Sequence, residues 1–323
     1  MGRIEGGRVL VRGAAVLSCR TAQREGQMGI WITGDVHGAI DIAKLSHRRW
    51  PAGRSLTRDD FLIIAGDFGM PWDGSNEERY WLDWLEERPW TTLYVDGNHE
   101  CYPYLEDLPV TERWGGKVQV YPDHPHIVHL MRGQVFDLPL ASAADIRPPS
   151  AADDASRRGP APARTLRVFA MGGAASHDKA WRTPGWSWFP EELPAPAEYA
   201  EAERNLAEAG WKVDLVVSHC CAARWLPALL SAGDRAGRDE PDALVTWFDE
   251  LEERLAYRLW CFGHYHVDLM PDARHRALYR QVASWDELLA EGAARGPAAP
   301  RDGDATADGT AAAPPEGRPA HDA

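Results

Sequence analysis

The sequence has little of what marks several large classes of protein. Its five cysteines are too few and too scattered for a disulfide scaffold, and none forms the CxxC pair of a zinc ribbon. No apolar run approaches the roughly 20 residues that a transmembrane helix needs. Basic residues are also scarce, because 35 Lys and Arg stand against 49 Asp and Glu and leave a formal net charge of −14. Such a chain lacks the basic face that a non-specific nucleic-acid binder uses to displace counterions.

These absences predict a cytoplasmic protein with no membrane partner, and they argue against nucleic acid as a partner. They do not exclude a phosphate-bearing substrate, since bound metal ions can supply positive charge locally. With 323 residues, 44% of them hydrophobic, the chain is long enough to bury a substantial core. The sequence leaves the oligomeric state open.

Two stretches are too poor in large apolar residues to bury the surface that folding requires. We expect residues 141–163 to form a disordered inserted loop, and residues 290–323 a disordered tail rich in Ala, Gly, Pro and Asp. Met28 directly precedes a strand-like run, so residues 1–27 are expected to be a disordered extension, or translation starts at Met28. The folded domain is therefore expected to span residues 28–289.

Short apolar runs, each followed by a turn with glycine or histidine, recur through this domain. They predict six strands that are buried on both faces, over 30–32, 61–64, 93–95, 168–171, 215–217 and 259–262. Helices are predicted between them, one beginning at the capping box Ser75 to Glu78 and others over 199–209 and 244–255. Alternating strands and helices predict an α/β layered domain, in which ligands gather at the carboxyl ends of strands.

Five of these six strands end in residues that bind metals or exchange protons. The five turns are Gly34-Asp35-Val36-His37-Gly38, Gly66-Asp67-Phe68-Gly69, Gly97-Asn98-His99-Glu100, Ser218-His219 and Gly263-His264-Tyr265-His266. Oxygen and imidazole ligands without a series of thiolates suit Mn²⁺, Fe or Zn²⁺ rather than Ca²⁺. The seven candidate ligands exceed one tetrahedral site, and a bridging carboxylate would let them serve two ions about 3.5–4 Å apart.

The motif order D-x-H, G-D, G-N-H-E, H, G-H-x-H resembles the calcineurin-like metallophosphoesterases. The resemblance spans Asp35 to His266 and implies a sandwich of two mixed β-sheets flanked by α-helices. It also assigns ligands: Asp35, His37 and His266 would hold one metal, Asn98, His219 and His264 the other, and Asp67 would bridge both. His99 would protonate the leaving oxygen or help to hold the phosphate.

The resemblance therefore implies an enzyme with two divalent ions, Mn²⁺ in the first place and Fe or Zn²⁺ as alternatives. It would hydrolyse a phosphomonoester or a small phosphodiester by attack of a metal-bridging hydroxide, since metal binding lowers the pKa of water. The expected catalytic residues are His99, Asp67 and Asn98, with Asn98 also contacting the substrate. Protonation by His99 would matter most for a poor leaving group.

A second segment, from Gly172 to Trp188, resembles a stretch of small bacterial and phage members of the superfamily. Lys179 and Arg182 are its candidates for contact with the substrate phosphate, although an arginine often only covers apolar surface. Its tryptophans could line a pocket or stack a base.

Two other functions compete with this hypothesis. Ser/Thr protein phosphatases of the superfamily extend the second motif to GDxVDRG, whereas residues 66–71 here lack that aspartate and arginine; Glu100 does match their GNHE. A non-catalytic binding scaffold belongs to a different class, because a fold does not determine a function. Such members are expected to have lost ligand residues, and here all seven ligands and His99 are present.

The remaining chemically suggestive residues have simpler structural interpretations. We expect the histidines outside the motifs to be packed or hydrogen-bonded, namely His47, His124, His126, His129, His177 and His275. Cys220 and Cys221 are expected to be small buried residues rather than a redox pair. Most of the fifteen tryptophans are expected in the core. The acidic helix faces are expected to be solvated, at Glu201, Glu203, Glu208, Glu250, Glu252 and Glu253.

Overall fold

The computed structural model describes residues 29–140, 164–232 and 242–295. The expected extension 1–27, the inserted loop 141–163 and the tail from residue 296 onward lie outside these described residues. The domain end expected at residue 289 falls inside a helix, Trp285–Arg295. Leu288 and Gly292 are buried along that helix, so its Ala- and Gly-rich last turns still pack against the domain.

Seven strands form the first sheet. They are β1 (Ile30–Thr33), β2 (Phe61–Ala65), β3 (Thr91–Val95), β4 (Val110–Arg113), β5 (Gly116–Tyr121), β6 (His124–Leu130) and β12 (Val282–Ser284). Their order across the sheet is β12-β1-β2-β3-β6-β5-β4. The four central strands β1, β2, β3 and β6 run parallel, whereas the outer strands pair antiparallel with their neighbours.

Five strands form the second sheet, in the order β11-β10-β9-β8-β7. They are β7 (Gln134–Leu140), β8 (Arg164–Met171), β9 (Leu215–Ser218), β10 (Leu259–Phe262) and β11 (His275–Ala277). All pair parallel except β7, which is antiparallel to β8. The six strands expected from the sequence are β1, β2, β3, β8, β9 and β10, and each is present.

In the part of the chain that the structure describes, six α-helices surround the sheets: α1 (Asn76–Glu86), α2 (Tyr102–Asp107), α3 (Pro196–Glu208), α4 (Leu226–Ala232), α5 (Ala243–Arg254) and α6 (Trp285–Arg295). Helix α1 begins as predicted, because the Ser75 hydroxyl accepts a hydrogen bond from the Glu78 amide at 3.2 Å. The Glu78 carboxylate instead binds the amides of Trp72 and Gly74, so the capping box is only half formed.

The core lies in three apolar layers. Alternate residues of a strand point to opposite faces, and β2 shows the result. Phe61 and Ile63 pack between the two sheets with Val168 and Val217 of the second sheet. The intervening residues of β2 pack outward with side chains of α1, and the outer face of the second sheet packs with α3 and α5. The predicted sandwich of two mixed sheets flanked by helices is therefore confirmed.

One expectation about burial is wrong. The side chain of Glu252 is only 5% exposed rather than solvated, because its carboxylate lies 3.0 Å from His275 Nε2 and accepts a hydrogen bond from Trp225 Nε1 at 2.6 Å. Trp181 and Trp186 are exceptions to the expectation that most tryptophans lie in the core, because 90% and 71% of their surface is accessible. The buried positions of Cys220 and Cys221 are as expected.

Candidate metal centre

Five loops bring the predicted ligands to one place. They follow β1, β2 and β3 in the first sheet and β9 and β10 in the second. Because neighbouring strands within each set are parallel, their carboxyl ends lie at the same edge of each sheet. The two edges meet at Asp67, which follows β2 and contacts His219 from the loop after β9.

Asp67 lies between two histidines. One carboxylate oxygen, Oδ2, is 3.2 Å from His37 Nε2, and the other, Oδ1, is 3.2 Å from His219 Nε2. The side chain is almost completely buried, so each oxygen faces its own imidazole rather than solvent. This is the position that a carboxylate bridging two ions would require.

On one side of Asp67, four side chains converge. Ligand atoms of Asp35, His37, Asp67 and His266 all lie within 4.8 Å of one another. Asp35 Oδ2 lies 3.0 Å from His266 Nε2 and 3.9 Å from His37 Nε2. This oxygen is buried and receives no hydrogen bond of good geometry from the described residues, and its near neighbours are imidazole nitrogens. Such a carboxylate is costly to bury, and a cation held by these four side chains would satisfy it.

On the other side of Asp67, a second group of ligand atoms meets. His219 Nε2 lies 3.2 Å from Asn98 Oδ1 as well as 3.2 Å from Asp67 Oδ1. The ring of His264 lies against that of His219, with centroids 5.0 Å apart. The seven side chains predicted as ligands therefore lie close together around Asp67.

The charges of this site favour a cation. Burial alone would raise the pKa of Asp67, but His219 and His37 hold it well below its usual value. Burial alone would lower the pKa of both histidines, yet Asp67 and Asp35 raise each to about 9. The site thus favours the protonated, positively charged forms of His37 and His219. A divalent ion would displace those protons when it binds.

The backbone at four of these residues is in the left-handed region. The φ angles are 47° at His37, 47° at Asp67, 67° at His264 and 53° at His266. Such a conformation costs about 1–3 kcal/mol for a non-glycine residue and persists where the surrounding structure enforces it. The turns after β1, β2 and β10 therefore orient the predicted ligand side chains through a backbone conformation that lowers stability.

A set of neighbouring polar groups orients the predicted ligands. His37 Nδ1 lies 2.9 Å from Asp41 Oδ2, and His219 Nδ1 lies 2.9 Å from the carbonyl of Ala65. These partners hold the Nε2 atoms toward Asp67, as the outer partners of metal-bound histidines do. Sequence reasoning missed both partners. For Asp41 a weak signal exists, since it follows His37 by four residues in the same turn.

His99 contacts Arg182, a residue predicted to bind substrate. The Arg182 guanidinium donates from Nη2 to His99 Nε2 at 2.7 Å, and its Nε lies 2.7 Å from Asp178 Oδ1. Burial lowers the pKa of His99 to about 4, with Arg182 adding to the effect and Asp67 opposing it. The imidazole is therefore a neutral acceptor, whereas a general acid must hold a proton at the moment of transfer.

The other predicted substrate residue, Lys179, is placed differently. Its Nζ lies 4.0 Å from the centre of the Trp188 ring, a cation–π contact within the same segment. Asn98 is at the site, and its backbone carbonyl accepts from Arg182 at 3.3 Å. Of the two predicted basic residues, the structure therefore places Arg182 against His99 and Lys179 against an indole.

Two histidines outside the motifs show the expected structural roles. His129 is buried between Gln119 and Asp96, at 2.7 and 3.1 Å. His275 is buried between Asp272 and Glu252, at 2.7 and 3.0 Å. Within the described ranges, no helix is both long and apolar enough to span a bilayer.

Comparison with known proteins agrees with this geometry. A protein-family model for Calcineurin-like phosphoesterase matches residues 28–268, a range that includes all seven predicted ligands. No curated protein matches the chain. The matched range covers most of the described domain. The protein therefore belongs to the calcineurin-like phosphoesterase family.

Proposed function

We propose that the protein is a hydrolase with two divalent ions, acting on a phosphomonoester or a small phosphodiester. The observation that carries this proposal is the position of Asp67, whose two carboxylate oxygens each lie 3.2 Å from a different histidine. A carboxylate in that position can join two ions into one centre. We propose Mn²⁺ as the first choice of metal, with Fe or Zn²⁺ as alternatives, and a cytoplasmic location.

The ligand assignment follows the two sides of Asp67. Asp35, His37 and His266 would hold one ion, and Asn98, His219 and His264 the other. When bound, the ions would activate water and neutralise the charge of the phosphate. The chain's own residues would hold the ester in line with that water, through the Asn98 side chain and the Arg182 guanidinium.

Arg182 and His99 would act together on the substrate. A guanidinium binds two phosphate oxygens through its forked N–H groups, and it prefers a charged acceptor to a neutral imidazole. Binding of the phosphate would therefore draw Arg182 from His99 Nε2, to which it now donates at 2.7 Å. His99 Nε2 would then be free to carry a proton to the leaving oxygen.

This arrangement bears on the protein-phosphatase alternative. In that branch, the arginine that contacts phosphate stands in the extended second motif, which residues 66–71 lack. Here the guanidinium reaches His99 from residue 182, in a separate segment. The difference favours a different substrate class from that of the protein phosphatases. The scaffold alternative is disfavoured, because the predicted ligands, His99 and Arg182 converge.

Metal content and turnover test the proposal together. Protein freed of metal is reconstituted with Mn²⁺, Zn²⁺ or Fe²⁺, and is then assayed with p-nitrophenyl phosphate and bis-p-nitrophenyl phosphate. We expect two ions per chain and metal-dependent turnover of one ester. Asp67→Asn is expected to lose metal and turnover, whereas Asp83→Asn, at an exposed carboxylate of α1, serves as the matched control. Unchanged metal content and turnover in Asp67→Asn would contradict the proposal.

A further inference from the structure

The segment from Asp178 to Trp188 is built around Arg182. Asp178 Oδ1 lies 2.7 Å from Arg182 Nε, and the carbonyl of Ser187 accepts from Nη1 at 3.3 Å. The carbonyl of Thr183 accepts the amides of three later residues of the segment and closes it into a turn. We call residues 178–188 the arginine loop. The loop holds one guanidinium beside His99.

The arginine loop also presents two bare indoles. Trp181 is 90% exposed and Trp186 is 71% exposed. Tryptophan is usually well buried, and large exposed aromatic surface commonly marks a binding site. Trp188, the third indole of the loop, is different. Its ring face is covered by Lys179 at 4.0 Å, and its Nε1 donates to Glu192 at 2.8 Å.

The spacing connects these indoles to the reaction. Trp181 directly precedes Arg182, so their Cα atoms are about 3.8 Å apart. Trp186 directly precedes Ser187, whose carbonyl accepts from Arg182 Nη1 at 3.3 Å. Both exposed indoles are therefore next in sequence to a residue that forms or contacts the guanidinium that would hold a phosphate. An indole face stacks well on a planar heterocycle, and base–aromatic stacking contributes about 1–3 kcal/mol per base. A guanidinium beside exposed aromatic rings therefore suits a ligand that contains both a phosphate and a base.

The overall charge limits the size of that ligand. Polynucleotides are held by many basic side chains along a groove, whereas this chain has a formal net charge of −14. The arginine loop supplies only Arg182 and Lys179, and Lys179 already covers Trp188. A ligand with one phosphate and one base needs no more than this.

We infer that the substrate is a nucleoside phosphoester whose base stacks on Trp181 or Trp186 while Arg182 holds its phosphate. This inference rests on the proposed function and narrows its substrate class. In the reaction, the P–O bond to the nucleoside breaks and water supplies OH to phosphorus. The remaining proton of water goes to the nucleoside oxygen, so no oxidant or reductant is needed.

Substrate selectivity tests the inference. The Mn²⁺-reconstituted protein is assayed with adenosine 5′-monophosphate and with ribose 5-phosphate, which lacks the base. We expect a higher kcat/KM for the nucleotide, and a ratio between the two esters that falls about ten-fold in Trp181→Ala or Trp186→Ala. Both variants remove exposed side chains, so they are expected to fold. Tyr80→Ala, at another exposed aromatic residue, is the control that keeps the ratio of the unaltered protein.

The outcomes separate this inference from the proposed function. Equal kcat/KM for the two esters, unchanged in both tryptophan variants, would overturn the inference while phosphoester hydrolysis stands. If neither ester is hydrolysed, calorimetry is used to compare the affinity of the protein for adenosine 5′-monophosphate with its affinity for ribose 5-phosphate. Tighter nucleotide binding that is lost in a tryptophan variant supports the inference, and equal binding overturns it.

The same assay can compare a free nucleotide with a strand end as the source of the phosphate and base. A 5′-phosphorylated oligonucleotide presents the same phosphate and base as the free nucleotide. Faster hydrolysis of the free nucleotide would support the inference with a small molecule as the source, as the acidic charge of the chain favours. Faster hydrolysis of the oligonucleotide would support it with strand ends as the source.

Discussion

The side-chain amide of Asn98 donates to the hydroxyl of Ser176 at 3.2 Å. Ser176 in turn donates to Glu192 Oε2 at 2.6 Å, so the hydroxyl oxygen is left to accept from the amide. An amide held through its nitrogen must present its oxygen in the opposite direction, and Asn98 Oδ1 faces His219 Nε2 at 3.2 Å. Ser176 and Glu192 thus orient a predicted metal ligand without belonging to the ligand set.

Ser176→Ala is expected to weaken metal binding about ten-fold at one of the two sites, as loss of an outer hydrogen-bond partner commonly does. Calorimetric titration of metal-free protein with Mn²⁺ measures the change. The free energy of unfolding without metal reports separately on any structural damage. Ser55→Ala removes an exposed hydroxyl that bonds only the nearby Ala52 carbonyl, and it serves as the matched control. Equal Mn²⁺ affinity in Ser176→Ala and the unaltered protein would contradict the positioning role.

Arg182→Ala is expected to lower kcat/KM about 100-fold, a loss typical of removing one donor to developing charge. Metal content should not change, because the guanidinium contacts the His99 ring and the backbone carbonyl of Asn98 rather than a predicted ligand atom. Arg182→Lys keeps the charge without the fork and should recover only part of the loss. Lys179→Ala should cost less, since that Nζ lies over Trp188. Full activity of Arg182→Ala would contradict the proposal that Arg182 binds the substrate phosphate.

Much of the fold could be predicted from the sequence, because its central strands are buried on both faces. The run Phe61–Ile64 is apolar without alternation, as a strand covered by a sheet on one side and helices on the other must be. Strands such as β4, with exposed residues Val110–Glu112, carry no such signal and were missed. The motif order then predicted side chains that the structure brings together, since loops after parallel strands meet at one edge.

The support of the site could not be predicted, because it depends on contacts between distant segments. Ser176 and Glu192 meet Asn98 only after folding, across 78 residues in the case of Ser176. The left-handed φ of Asp67 could likewise not be predicted from the sequence, because a positive φ is uncommon for a non-glycine residue. The exposure of Trp181 opposes the usual preference of tryptophan for burial, and residues that oppose local preference often have a functional reason.

A buried histidine away from the metal centre predicts a pH-dependent stability. His275 lies between Asp272 and Glu252, near the Tyr257 hydroxyl at 3.0 Å. Burial alone would lower the pKa of His275, but the two carboxylates raise it. A group with a raised folded-state pKa stabilises the fold fully below its unfolded pKa of about 6.5. That stabilisation is lost as the pH rises through the folded-state pKa.

His275→Gln should therefore cost about 3 kcal/mol of unfolding free energy at pH 6, since it leaves buried carboxylates without their cation. The difference from the unaltered protein should shrink as the pH rises through the folded-state pKa of His275. Urea unfolding in the presence of a chelator, over a series of pH values from 6 upward, measures it. His124→Gln is the control, because its partner Asp83 is exposed and such pairs contribute below about 1 kcal/mol. A pH-independent difference for His275→Gln would contradict the charge assignment.

Gly97 lies where any side chain would displace the carboxylate of Asp67, the proposed bridge between two ions. A Cβ at this position would stand 2.2 Å from Asp67 Oδ1 and 2.4 Å from the Asp67 amide nitrogen. Gly97→Ala must therefore move Asp67 away from its two histidines, and we expect Mn²⁺ affinity to fall about 100-fold.

Gly210→Ala separates this effect from backbone strain. Gly210 has a φ of 67° and open space where a Cβ would stand. Its replacement should cost about 1 kcal/mol of unfolding free energy through strain and leave Mn²⁺ binding intact. If Gly97→Ala binds two Mn²⁺ ions as tightly as Gly210→Ala does, the carboxylate of Asp67 tolerates displacement. Its role as the bridge between the two sides of the site would then be wrong.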